Sequence, residues 1–200
     1  MLRLLYSFNC NLIQLSLFQI TVFCFLKTGI GEGLTMNIKV IDDFDQELLD
    51  KLVDLETRTF REGGLTKWEL VPLIQHGKLI VLFDEGEPIG LLELMTDWED
   101  NDSAYVYALA IEEEYRNQGL GTKLIKYGME ILIEEGYSQA ELTVDPENDP
   151  AIHVYRDKLG FEKTDYEKDV YGEGLDRYYM ELDLADYEEQ EKGELLKAVS

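Results

Sequence analysis

One stretch constrains this chain more than any other. From Tyr105 to Ile111 every residue is apolar or aromatic. Three acids follow, then Tyr115-Arg116-Asn117-Gln118-Gly119-Leu120-Gly121-Thr122, which opens a helical pattern running to Glu135. A strand apolar on both faces belongs in the middle of a sheet. A glycine-bearing turn leading straight from it into a helix restricts the chain further. The expected class is α/β, more narrowly an α+β mixed sheet flanked by helices.

The rest of the chain supplies the partners of that strand. Asn37–Ile41 reads as a strand and Asp43–Phe60 as an amphipathic helix, with Leu48, Leu49, Leu52, Val53 and Leu55 near helical spacing. Gly63-Gly64 breaks it, and Thr66 caps a second helix, Lys67–Gln75. Lys78–Asp84 and Ile89–Met95 form a hairpin about a Glu85–Pro88 turn. Beyond the Gly119–Glu135 helix come strand Gln139–Val144, short helix Ala151–Lys158, and a last strand pair, Phe161–Tyr171 and Arg177–Leu184. Residues 185–200 form an acidic, weakly helical tail.

Residues 1–35 differ in composition. They carry Arg3, Lys27 and Glu32, for +1, while the whole chain carries 18 basic and 42 acidic groups, for −24. The remainder is therefore at −25. Both cysteines, Cys10 and Cys24, lie in this leader, so from Met36 on thiol nucleophiles and thiolate metal sites are excluded. The apolar run Leu12–Leu26 is short of the roughly 20 residues that span a bilayer. A signal peptide, a membrane anchor and a genuine N-terminal helix are alternatives. The better fit is translated upstream sequence: Gly31-Glu32-Gly33 codons can spell a bacterial ribosome-binding site just before a Met36 start. The expected division is leader 1–35, domain 36–184 and tail 185–200.

The strand–turn–helix is how a chain presents backbone N–H groups to a phosphate. The helix start adds partial positive charge, so even an acidic protein can hold an anion this way. The turn is not a P-loop, because Gly121-Thr122-Lys123 fails that pattern, and Leu124 stands where a dinucleotide fingerprint needs a third glycine. Alone, the pattern also suits any helix that needs a tight start. The acidic balance argues against nucleic acid, whose binding rests on lysine and arginine.

A second motif follows: Asn148-Asp149-Pro150-Ala151-Ile152-His153-Val154-Tyr155, then Leu159-Gly160-Phe161. An arginine–x–x–glycine–x–glycine turn followed by this asparagine-to-tyrosine helix resembles the GNAT acyltransferase superfamily, over roughly Met36 to Leu184. The resemblance implies the GNAT fold, with a central twisted, mostly antiparallel sheet. It implies acetyl-CoA as acyl donor, no metal, and transfer of an acetyl group to a primary amine by direct attack on the thioester. Leu109 and Ile111 would pair with the pantetheine arm, an N–H near Leu109 polarising the thioester carbonyl. Arg116, Asn117, Gln118, Gly119, Leu120, Gly121 and Thr122 would cradle the pyrophosphate. Asn148 would bond the pantetheine or the following helix. Tyr155 would protonate the departing thiolate.

The general base is less legible. Relatives place a glutamate on the central strand about where Tyr105 stands; Glu93, Asp97 and Glu99 are alternatives, as is a water relay, and each carboxylate is also readable as a solvated edge residue. Arg116, Lys123 and Arg156 are candidates for the CoA 3′-phosphate, or simply offset neighbouring acids. Trp68 and Trp98 would line the acceptor pocket or pack in the core, His76 ends a helix, and His153 points outward or toward CoA. The excess acid points to a cationic acceptor, a small molecule or a protein amine, or else reflects a saline habitat or solubility. The expected setting is cytoplasmic, without nucleic acid or membrane partners; a homodimer is allowed. A non-catalytic acyl-CoA-binding module of the same fold is the alternative function.

Overall fold

The computed structural model describes residues 36–199; the expectations for the leader fall outside them. The chain runs β1 (Asn37–Ile41), α1 (Gln46–Phe60), a 3₁₀ turn (Arg61–Gly63), α2 (Lys67–His76), β2 (Lys78–Asp84), β3 (Glu87–Thr96) and β4 (Ser103–Ile111). After a 3₁₀ turn at Glu113–Tyr115 come α3 (Leu120–Glu135), β5 (Gln139–Val144), α4 (Asp149–Ile152), a π-helical segment (His153–Lys158), β6 (Glu162–Glu167), β7 (Arg177–Asp183) and α5 (Leu184–Val199). The β2 and β5 spans match the sequence reading residue for residue.

The seven strands form one sheet in the order β1-β2-β3-β4-β5-β7-β6. The β4–β5 pair is parallel and the other pairs are antiparallel. One face packs Leu120, Leu124, Ile125, Met129 and Leu132 of α3 against Ile80, Leu92 and Val106. The other packs Leu49, Leu52 and Leu55 of α1 and Leu70 of α2 against Leu79, Val81 and Leu91. Each of these large side chains contributes roughly 1.5–3 kcal/mol relative to exposure. That two-sided burial is why β4 carries apolar residues on both faces.

Two features of β4 shape the site. The β3–β4 register jumps from Glu93↔Ala108 to Leu94↔Val106, which leaves Tyr107 as an extra residue, a β-bulge. Ala104 and Val106 face α3, and beyond the bulge Leu109 and Ile111 face it again, while Ala108 and Ala110 face α1 and α2. The parallel pairing with β5 also ends early, at Val106↔Leu142. From Tyr107 onward the strands part, and β5 continues beside β7 to Val144. The backbone of residues 107–111 is therefore open on its β5 side.

Two sequence expectations are corrected. The helix after Asn148 is α-helical for one turn only and continues as π-helix through Tyr155. The weakly helical tail is a helix anchored over its first half: Leu184 and Tyr187 are buried, Lys126 of α3 pairs with Glu191, and Asp183 accepts from Ala185 and Asp186 N–H. Among the described residues no helix is long and apolar enough to cross a membrane, and no group of three His, Asp or Glu stands together as a metal site.

Candidate active site

Among the described residues the α-helix starts are capped by side chains, with one exception. Asp45 caps α1, Thr66 and Glu69 form a capping box on α2, and Asn148 caps α4. α3 has no side-chain cap and no acid in its first turn, in a chain dense with acid. Its N-cap, Gly119, is left-handed at φ 74°, and Asn117 sits at φ 61°. The first intrahelical bond is Lys123 N–H to the Gly119 carbonyl at 3.1 Å. The N–H groups of Leu120, Gly121 and Thr122 precede it and have no helical partner, which leaves them for an anion.

This turn is braced from behind. Arg116 Nε donates to the Ile111 carbonyl at 2.9 Å, Tyr115 Oη to Asp84 at 3.1 Å, and Arg58 of α1 to Glu112. Arg116 thus ties the turn to the end of β4. Arg156 is paired with Asp157 at 2.8 Å. Gln118 lies exposed on the turn, its amide reaching the Glu114 carbonyl at 3.3 Å.

The opening between β4 and β5 starts in the middle of the same strand, just past Val106. Tyr105, expected at the base position, shares a hydrogen bond with Thr143 Oγ1 across the strands at 2.9 Å. Tyr155 is buried on the π-helical segment, its ring 5.8 Å from Phe161 and its carbonyl accepting from Phe161 N–H at 2.9 Å. Such π turns recur at functional sites. Burial, with Tyr105 nearby, pushes the Tyr155 phenol up to about 12, so it stays protonated across the neutral range. Its hydroxyl bonds to no described residue. Asn148 is occupied: its Oδ1 accepts from Ala151 N–H at 3.2 Å, so of its two expected roles the structure displays the one toward the helix.

On the α1 side lies a carboxyl pair. Glu93 is 0% exposed, which rules out the solvated-edge reading, and neither carboxyl oxygen has a partner. Burial, with Glu56 of α1 beside it, pushes its carboxyl up to about 8. Glu56 is also buried, and its own carboxyl is raised by burial, partly offset by Leu65 N–H and Glu93. Tyr107, the bulge residue, is 49% exposed and its phenol is raised by burial and by Glu93. Asp97 and Glu99 lie in the β3–β4 turn, where Asp97 Oδ1 accepts from Glu99 N–H at 2.6 Å. Trp68 and Trp98 are 88% and 95% exposed, so neither packs in the core; Trp68 borders only a shallow surface hollow with Lys67, Val71 and Pro72. His76 ends α2, and His153 is exposed and bonded to Asp157 at 2.8 Å.

Sequence reasoning missed Glu56 and Tyr107. Glu56 carries a legible signal: Leu49, Leu52 and Glu56 share one helical stripe, so an acid stands where an apolar residue is due. Tyr107 carries none.

A sheet parted between two strands, an uncapped helix start at one end of the gap, a buried phenol on the α3 side and a buried acid on the α1 side define a group-transfer protein. The acetyltransferase (GNAT) family's sequence model matches residues 46–161, and the chain belongs to that family. It is 27% identical over 140 residues to a mycothiol acetyltransferase of Clavibacter sepedonicus, covering 65% of this chain and 45% of that protein. It is 31% identical over 111 residues to an N-alpha-acetyltransferase of Sulfurisphaera tokodaii, covering 50% of this chain and 65% of that one. The chain thus spans about half to two thirds of these curated relatives. A Bacillus subtilis acetyltransferase solved in complex with CoA shares the fold, with TM-score 0.60 and 16% identity over 74% of this chain and 99% of that one.

Proposed function

We propose that this chain is an N-acetyltransferase that moves an acetyl group from acetyl-CoA to a primary amine, in the cytoplasm. The observation that carries the reading is the parted β4–β5 pair with Glu93 and Tyr155 on its two sides. The pantetheine arm pairs with the free edge of residues 107–111, including Leu109 and Ile111. The pyrophosphate sits on the N–H groups from Asn117 to Thr122, where the helix start favours negative charge.

Holding the amine in line with the thioester supplies much of the rate. A β4 amide near Leu109 stabilises the oxyanion, Glu93 takes the amine's proton, and Tyr155 donates to the leaving thiolate. Glu56, Glu69 and Tyr107 make the acceptor side acidic, which supports a cationic amine. The relatives named above are a mycothiol acetyltransferase and an N-alpha-acetyltransferase, so the acceptor classes to test are small-molecule amines and peptide N-termini. Incubation with acetyl-CoA and both classes, read by mass, tests the proposal: an acceptor gaining one acetyl group supports it. CoA binding without product for any amine would mark a binding module instead.

A further inference from the structure

Glu56 and Glu93 approach from different elements, α1 and β3, and both are buried. Glu56 Oε2 accepts the Leu65 N–H at 2.8 Å. Glu56 Oε1 and both oxygens of Glu93 have no donor among the described residues, and no lysine or arginine pairs with either group. Two ionised carboxylates side by side in such a place, without a cation, repel each other, so below about pH 8 the pair holds one proton. With one proton between them they satisfy each other: Glu93 donates to Glu56, and Glu56, already held by Leu65, keeps the charge. The groups facing this pair are Tyr107 from β4 and, beyond its phenol, Glu69 of α2 and Tyr171 of the β6–β7 loop, none of them cationic.

We propose that Glu56 is a positioning residue of the acetyl-transfer site: its ionised carboxylate, fixed by Leu65, faces Glu93 and makes it a stronger proton acceptor toward the incoming amine. This rests on the acetyltransferase reading. In the step, the amine lone pair forms the C–N bond and an N–H proton passes to ionised Glu93. The C–S electron pair leaves with sulfur, which takes the Tyr155 proton. A lone glutamate is a poor match for an amine's proton; one facing a fixed negative charge is a better one.

Two readouts on the full chain test this: pH titration of ¹³C-labelled glutamate carboxyls, and the pH profile of kcat/KM for thiol release. In wild type one glutamate titrates near 8 and is absent in Glu93→Gln. Glu56→Gln keeps an acceptor for Leu65 but loses the charge, and lowers that titration and the acid limb of kcat/KM together, by about one pH unit or more. Glu56→Asp keeps the charge and restores most of both, which covers a loss of folding in the first variant. A merely structural Glu56 would weaken the fold and move neither curve. Unchanged curves in Glu56→Gln, with wild type active, overturn the positioning role alone. A coupled titration in a wild type that acetylates nothing overturns the acetyltransferase reading and the role with it.

Discussion

The carboxyls of Glu56 on α1 and Glu93 on β3 lie buried side by side, and three of their four oxygens have no donor outside the pair. The fourth is held by Leu65 N–H. An acid pair without a cation in a protein interior weakens the fold, so its retention calls for a use.

The pair makes stability depend on pH. Folded Glu93 holds its proton to about 8, while the ordinary value is 4.5. Between those values the folded state binds more protons than the unfolded one, so stability falls as pH rises through that window. Glu93→Gln removes this component. Against wild type, the variant gains up to about 1.4 kcal/mol per pH unit from near pH 5 to pH 8, and the two converge below pH 4. Glu130 on α3, raised by burial and neighbouring acids to about 7, acts in the same direction in both proteins. Urea denaturation across pH measures the difference; parallel curves would show that Glu93 carries no raised proton.

Tyr155→Phe keeps the packing on Phe161 and removes only the hydroxyl. Turnover is expected to fall by about ten- to a thousandfold with acetyl-CoA affinity within about threefold of wild type. Steady-state kinetics with CoA binding by calorimetry reads both. Equal loss of the two would count against the acid role.

The anion turn rests on two glycines of different kinds. Gly119 needs its left-handed φ of 74°, whereas a Cβ at Gly121 meets only Ile111 Cγ1 at an ordinary 3.6 Å. Gly119→Val therefore costs about 1–2 kcal/mol in backbone strain and moves the N–H groups, weakening CoA binding more than tenfold. Gly121→Ala weakens it less. The reverse order would place the pyrophosphate elsewhere.

Gly64 sets the approach of the α1–α2 loop to Glu56. A Cβ there would lie 2.6 Å from the Glu56 carbonyl oxygen, a backbone atom that cannot turn aside. Gly64→Ala is expected to destabilise by about 1–3 kcal/mol. Thermal unfolding reads this, and an unchanged midpoint would show that the loop yields freely.

Much of this was legible in the sequence because the signals were local. The Thr66 cap, the Gly119 turn, the Gly136 stop and the spans of β2 and β5 follow from residues near in sequence. The bulge at Tyr107 was not: Tyr105–Ile111 reads apolar or aromatic at every position, so a shift of one residue between faces leaves no polar side chain misplaced to betray it. Glu93 misled for a related reason. A single acid in an apolar strand reads as edge or core, and only the arrival of Glu56 from a distant helix settles which. The anchoring of α5 depends on Tyr187, one aromatic in an acidic segment whose burial comes from tertiary packing.

Acetyl transfer is the central claim, and rapid-mixing thiol release tests it most directly. Wild type and Glu93→Gln, each saturated with acetyl-CoA, are mixed with the best acceptor from the amine panel. The expected result is amine-dependent thiol release in wild type, reduced about a hundredfold or more in the variant at neutral pH. Release that is absent in wild type, or equal in both proteins, would contradict the account.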